Sequence, residues 1–164
     1  MMKKETMRKL LLELLKDSKR SDRELAKVLG VSQPTITRMR HKLVQEGVIR
    51  RFTIIPDFSK LGYEIMAVTC FKAKMKVELI ERATKWAMER PNIIFAGRVE
   101  GMGKNGMMIS LHRDFADFAS FIADLMIEWG NDIDDYGTLL TPLKGTIVKP
   151  LSLEYLAKLE DIEE

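Results

Sequence analysis

The first fifty residues alternate apolar and polar positions at helical spacing, and small polar residues and glycines punctuate the pattern. Met7, Leu10, Leu11, Leu14 and Leu15 fall three and four apart, which places them on one face of a helix. The polar pair Asp17-Ser18 predicts the end of that helix. Ser21 predicts the cap of a second one, because its hydroxyl oxygen can accept from the free N–H groups of a first turn; Glu24, three positions on, completes a capping box. Leu25, Ala26, Val28 and Leu29 supply the next apolar stripe, and Gly30 closes it, since glycine enters the left-handed region without a Cβ penalty. Ser32 is expected to cap a third helix, with Pro34 in its first turn, where a missing N–H costs nothing. That helix is expected to run to about Glu46 and to end at Gly47, with Ile36, Leu43 and either Met39 or Arg40 facing inward. Two helices joined by a short turn holding a glycine form the helix-turn-helix pattern.

After Gly47 the pattern changes. Val48, Ile49, Phe52, Ile54 and Ile55 predict an extended segment that Pro56 ends. Residues 63–75 read as a strand closing on alternating Lys72, Lys74 and Lys76, as suits an edge or a solvent-facing side. A helix is predicted over 77–89, broken by Pro91-Asn92. Strands over 93–99 and 107–112 follow, joined by a glycine-rich hairpin loop. Asp114 is expected to cap a helix over 115–129. A strand or two, near 133–141 and 146–151, and a short acidic helix from Ser152 close the chain. Strand–helix–strand–strand–helix–strand is the split, ferredoxin-like order. The pattern thus predicts an α+β protein: an N-terminal (winged) helix-turn-helix over 1–52, a linker over 53–62, and a C-terminal ferredoxin-like βαββαβ antiparallel sheet domain over 63–164. Both helices should cover one face of the sheet, leaving an apolar face that needs a partner.

Charge sharpens this division. Residues 1–51 carry 14 Lys/Arg against 6 Asp/Glu, whereas the remaining 113 carry 13 against 18. A basic head on an acidic body fits contact with a polyanion, because neutralising phosphates releases their counterions; a solvated basic surface gives the same numbers. One cysteine, Cys70, leaves no intrachain disulfide, fits a reducing cytoplasm, and is expected to be a buried, inert thiol in its apolar stretch. No apolar run reaches the ~18 residues of a membrane span, and the leucine cluster at 10–15 is too short for a signal peptide, so a soluble cytoplasmic protein is expected.

The exposed side of the third helix carries the most informative chemistry. Gln33, Thr35, Thr37, Arg38 and His41 are donors and acceptors of the kinds used on base edges, with Arg40, Lys42, Arg50 and Arg51 near phosphates. Ser32 and Pro34 set the helix N-terminus, whose positive end also favours a phosphate. Arg50 and Arg51 read equally well as ordinary solvent-facing residues of a linking strand. In a helix-turn-helix the second helix lies in the major groove.

These residues also carry a resemblance. Leu25-Ala26-Lys27-Val28-Leu29-Gly30-Val31-Ser32, Thr35-Ile36 and Leu43-Val44-Gln45-Glu46-Gly47-Val48-Ile49, followed by Arg50-Arg51-Phe52-Thr53, resemble the leucine-responsive/asparagine regulator (Lrp/AsnC) family. Pro56-Asp57 and Lys60-Leu61-Gly62-Tyr63 continue the match. Met39-Arg40 departs from it, since the family has a basic and then an aliphatic residue there. The resemblance implies a transcriptional regulator that binds double-stranded DNA as a homodimer or higher even-numbered homo-oligomer, paired through the second domain. It also implies an effector site between subunits near the loop Gly101-Met102-Gly103-Lys104-Asn105. Gly101 fits that pattern, but Lys104 stands about where the family has an acid. A carboxylate is the natural anchor for an ammonium group, so the loop argues against an ordinary amino acid and leaves an anionic ligand or none.

Enzyme chemistry finds little footing. The only histidines are His41 and His112, and neither a nucleophile elbow, a phosphate loop nor paired metal-ligand spacing occurs. Asp132, Asp134 and Asp135 read as a solvated acidic turn. No cofactor, metal or catalytic residue is expected. The rival readings are a haem-precursor decarboxylase of the same two-domain build, expected to lack the basic recognition face, and an architectural DNA binder.

Overall fold

In the computed structural model of the chain, residues 2–74 and 76–160 are described. They form two compact units. The first runs up to Ile55 and takes in the chain again from Pro150; the second spans Pro56–Lys149.

The first unit is built on α1 (Met2–Lys16), α2 (Asp22–Leu29) and α3 (Gln33–Gln45). One leucine or isoleucine from each helix is fully buried: Leu10, Leu25 and Ile36. Leu14, Ala26, Leu43 and Ile49 complete the core, and Met39 packs against it. The caps of α2 form as the sequence implies. Ser21 Oγ accepts from the Glu24 N–H at 3.3 Å, and Glu24 Oε2 accepts from the Ser21 N–H at 2.7 Å. Gly30 takes φ +65° and donates its N–H to the Ala26 carbonyl. Those caps fix where α2 stops, and so fix the angle at which α3 starts.

The second unit is a four-stranded antiparallel sheet with two helices. Its elements are β1 (Ile65–Ala73), α4 (Val77–Met88), β2 (Ile93–Gly101), β3 (Lys104–His112), α5 (Phe115–Trp129) and β4 (Ile133–Pro142), and the strand order is β2-β3-β1-β4. This is the ferredoxin-like order. Trp86 of α4 and Leu125 and Trp129 of α5 bury against Met108 of the sheet. Pairing of Thr69 with Met108 and of Ala67 with Ser110 puts these residues on the helix-covered face. By the two-residue period of a strand, Met66, Val68, Cys70, Met107 and Ile109 line the opposite face. Phe71 lies across Gly106, where a Cβ would come within 2.1 Å of its ring, so only glycine fits.

Several expectations are corrected. Residues from 150 onward belong with the head: α6 (Glu154–Glu160) packs against α1 and buries Ala157. Residues 146–151 form no strand; Pro142, Gly145 at φ +77° and Pro150 interrupt the ladder. β1 is an inner strand, so the lysine run marks its end and not an edge, with Lys72 opposite Asp135. The extended segment over 50–57 pairs with no strand among the described residues. Cys70 is half-buried on the open face. No helix among the described residues is long and apolar enough to cross a membrane.

Candidate nucleic-acid interface

The capped turn before α3 presents one side of that helix to solvent. Gln33, Pro34, Thr37, Arg38 and His41, which share one side across two turns, line a shallow depression on it. Gln33, Thr37, Arg38 and His41 are exposed. The Arg38 guanidinium has no hydrogen-bond or ion-pair partner among the described residues, which leaves its donor fork available. Lys42 is exposed and sits 3.5 Å from Glu46, one turn on. At the helix start, Ser32 and Thr35 share a hydroxyl–hydroxyl hydrogen bond of 2.8 Å instead of capping the backbone. Arg50 and Arg51 are exposed on the unpaired segment that follows.

Arg40 is not available in this way, which corrects its expected place near a phosphate. Its Nε donates to Asp22 Oδ1 at 2.9 Å, its Nη2 lies 2.7 Å from the same oxygen, and Nη2 also donates to the Arg20 carbonyl at 3.2 Å. The guanidinium further lies 5.8 Å from the centre of the Phe52 ring. Of the two inward candidates, both Met39 and Arg40 are half-buried, but only Met39 joins the core.

Asp22 is the residue that sequence reasoning missed. It occupies the first turn of α2, where an acid is commonplace beside the positive helix end. Its two oxygens instead brace α3: Oδ2 accepts from the Thr37 hydroxyl at 2.6 Å while Oδ1 holds Arg40. The Thr37 hydrogen bond, followed by the Arg40 guanidinium, holds the carboxyl below its ordinary range despite partial burial. Thr37 therefore has its hydroxyl committed to Asp22, and only its methyl is left for a base.

The comparisons with known proteins agree with this geometry. Residues 3–50 match the winged helix-turn-helix DNA-binding domain. The HTH-type transcriptional regulator PH0061 of Pyrococcus horikoshii is 34% identical over 116 residues, covering 69% of this chain and 75% of that one. An AsnC family transcriptional regulator from Agrobacterium tumefaciens superposes with a TM-score of 0.74 at 23% identity, covering 92% of this chain and 97% of that chain. The chain belongs to the Lrp/AsnC family of transcriptional regulators. A regulator from Neisseria meningitidis, solved in complex with L-Met, has the same fold, with a TM-score of 0.74 at 15% identity over 92% of this chain and 97% of that one.

As an Lrp/AsnC regulator the chain is a DNA-binding protein, and the α3 face is where its geometry offers base-reading groups. The loop between β2 and β3 is tighter than its glycine content implies. Met102 and Gly103 make a two-residue turn with φ of +53° and +70°, the positive values that match the twist of a hairpin. Asn105 is occupied within the fold, accepting from the Ala73 N–H at 2.8 Å and donating to the Ala73 carbonyl at 2.7 Å. Lys104 forms an ion pair with Asp135. Met102 is wholly exposed at the turn. The structure thus brings Gly101–Asn105 together at one sheet end and gives Lys104 and Asn105 partners there.

Proposed function

We propose that this regulator binds a pseudo-palindromic operator as a homodimer or a higher even-numbered oligomer, with Gln33, Thr37, Arg38 and His41 reading base edges in the major groove. The observation that carries the reading is the exposed polar face of α3, on which the Arg38 guanidinium has no partner among the described residues, set by the capped ends of α2. Ser32, Thr35 and the helix N-terminus serve the nearby phosphate, and Lys42, Arg50 and Arg51 supply further cationic contacts. Arg40 acts indirectly, by fixing α3 on α2.

The open face of the sheet supports the pairing of subunits. Met66, Val68, Cys70, Met107 and Ile109 share that face with Leu139, which is 73% exposed. In a twofold dimer the same patch of both subunits meets, so one open apolar face on each chain suffices to pair them. A pair of heads then matches a site with two half-sites separated by whole helical turns. A small-molecule effector belongs to the same reading, supported by the L-Met complex of the Neisseria regulator. The function is binding and not catalysis.

The test is selection of bound duplexes from a random DNA library at near-physiological salt. Enrichment of a palindrome with half-sites on one side of the helix supports the proposal. Recovery of sequence-independent, salt-sensitive binding alone points to an architectural binder and contradicts it.

A further inference from the structure

The chain has two tryptophans, and both line one cleft between α4 and the helix-covered side of the sheet. The cleft is about 380 Å³, within the ~300–1,000 Å³ of small-molecule sites. Phe71, Leu79, Met108 and Leu125 make its walls apolar. Three charged residues line it: Lys74, Arg98 and Asp132. They lie toward one end of the sheet, since Lys74 follows the last residue of β1, Arg98 is opposite Gly106, and Asp132 precedes β4. Asp132 is offset by Arg82 at 3.8 Å. Arg98 is exposed and has no partner among the described residues, so the unbalanced charge of the cleft is positive.

Trp86, in the same wall, donates its indole N–H to Glu128 at 2.6 Å and is thereby held in place. An apolar chamber with a free guanidinium at its rim matches an apolar body that ends in an acceptor group bearing negative charge.

We infer that this cleft is a ligand site within a single subunit for a small aryl or branched-alkyl carboxylate, its body among Phe71, Trp86 and Leu125 and its carboxylate toward Arg98. The site is separate from the β2–β3 turn and from the open sheet face, and it does not rest on the DNA-binding proposal.

Both tryptophans line the cleft, so intrinsic fluorescence reads occupancy directly. The full chain is titrated with 4-phenylbutyrate and 5-methylhexanoate, each against its neutral alcohol. A saturable change is expected, with the better carboxylate bound about tenfold more tightly than its alcohol, as a charge-assisted hydrogen bond provides. Arg98→Gln should remove that preference and leave alcohol binding within about twofold. Ala83→Phe, which fills the cleft from α4, should abolish both responses while circular dichroism stays that of the wild type. The inference is overturned by no saturable response to either acid. It is equally overturned if Arg98→Gln keeps the preference, or if a folded Ala83→Phe protein binds as the wild type does.

Discussion

Two arginines two positions apart on α3 illustrate how little a residue's type says about its task. Arg38 is free and Arg40 is clamped to Asp22 and the Arg20 carbonyl. Arg38→Ala should therefore leave the melting temperature unchanged and weaken binding to the operator by about 1–3 kcal/mol, relaxing specificity at one base position. Arg40→Ala should instead destabilise the head by about 1–2 kcal/mol, since it strips a half-buried carboxylate of its partner; chemical denaturation reads that directly. The sequence placed both on one helix and could not divide them, because Asp22 is eighteen positions away and only the crossing of α2 and α3 brings it to Arg40. Gly106 is a second case in which the reason is tertiary. Gly106→Ala should cost about 1–3 kcal/mol by driving a methyl into the Phe71 ring. Adding Phe71→Leu should recover part of that loss in the same denaturation experiment, which a purely backbone effect would not allow.

Elements whose limits depend on neighbouring residues were the most legible. The Ser21–Glu24 box and the Gly30 stop are local, and α5 spans the predicted residues because Asp114 caps it, accepting from the Asp117 N–H at 2.8 Å. Residues 150–160 were not legible as to allegiance: an amphipathic helix shows in sequence that it must pack, and nothing in it names α1 as the surface. β3 and α5 enclose a titratable group whose burial was equally invisible. His112 is fully buried against Phe118 and Phe121, bonded through Nε2 to Ser110 at 2.8 Å, with Nδ1 3.8 Å from Asp117. Burial, only partly opposed by Asp117, pushes the imidazole below its ordinary 6.5. As pH falls, the unfolded chain then takes up the proton first. The stabilisation is complete above about pH 6.5 and is lost as pH falls through that value toward the lowered folded one. Thermal midpoints should drop between about pH 7 and pH 5 in the wild type, and His112→Gln should flatten that slope.

At the scale of the whole molecule, the chain joins a basic helical head to an acidic body with an open apolar sheet face. The fold class and the polar, exposed face of α3 could be read from periodicity and residue type; the apolar cleft beneath α4 could not, because its walls come from both helices and all four strands. Pairing through the open face predicts that Leu139→Asp, on an exposed position of β4, yields a folded monomer by sedimentation, whereas the same change at exposed Val28 of α2 leaves the assembly intact. Loss of pairing should weaken binding to a palindrome far more than binding to one half-site.

In the proposal above, α3 reads bases through residues that its own fold leaves free. The most direct measurement compares wild type, Arg38→Ala and Arg40→Ala on a selected duplex and on a scrambled duplex of the same length, across a salt series. The wild type should prefer the selected duplex, both affinities should fall steeply with salt, and Arg38→Ala should lose about 1–3 kcal/mol of the preference while Arg40→Ala, once folded, keeps its sign. Equal binding of both duplexes by the wild type, or an Arg38→Ala protein with undiminished preference, would contradict it.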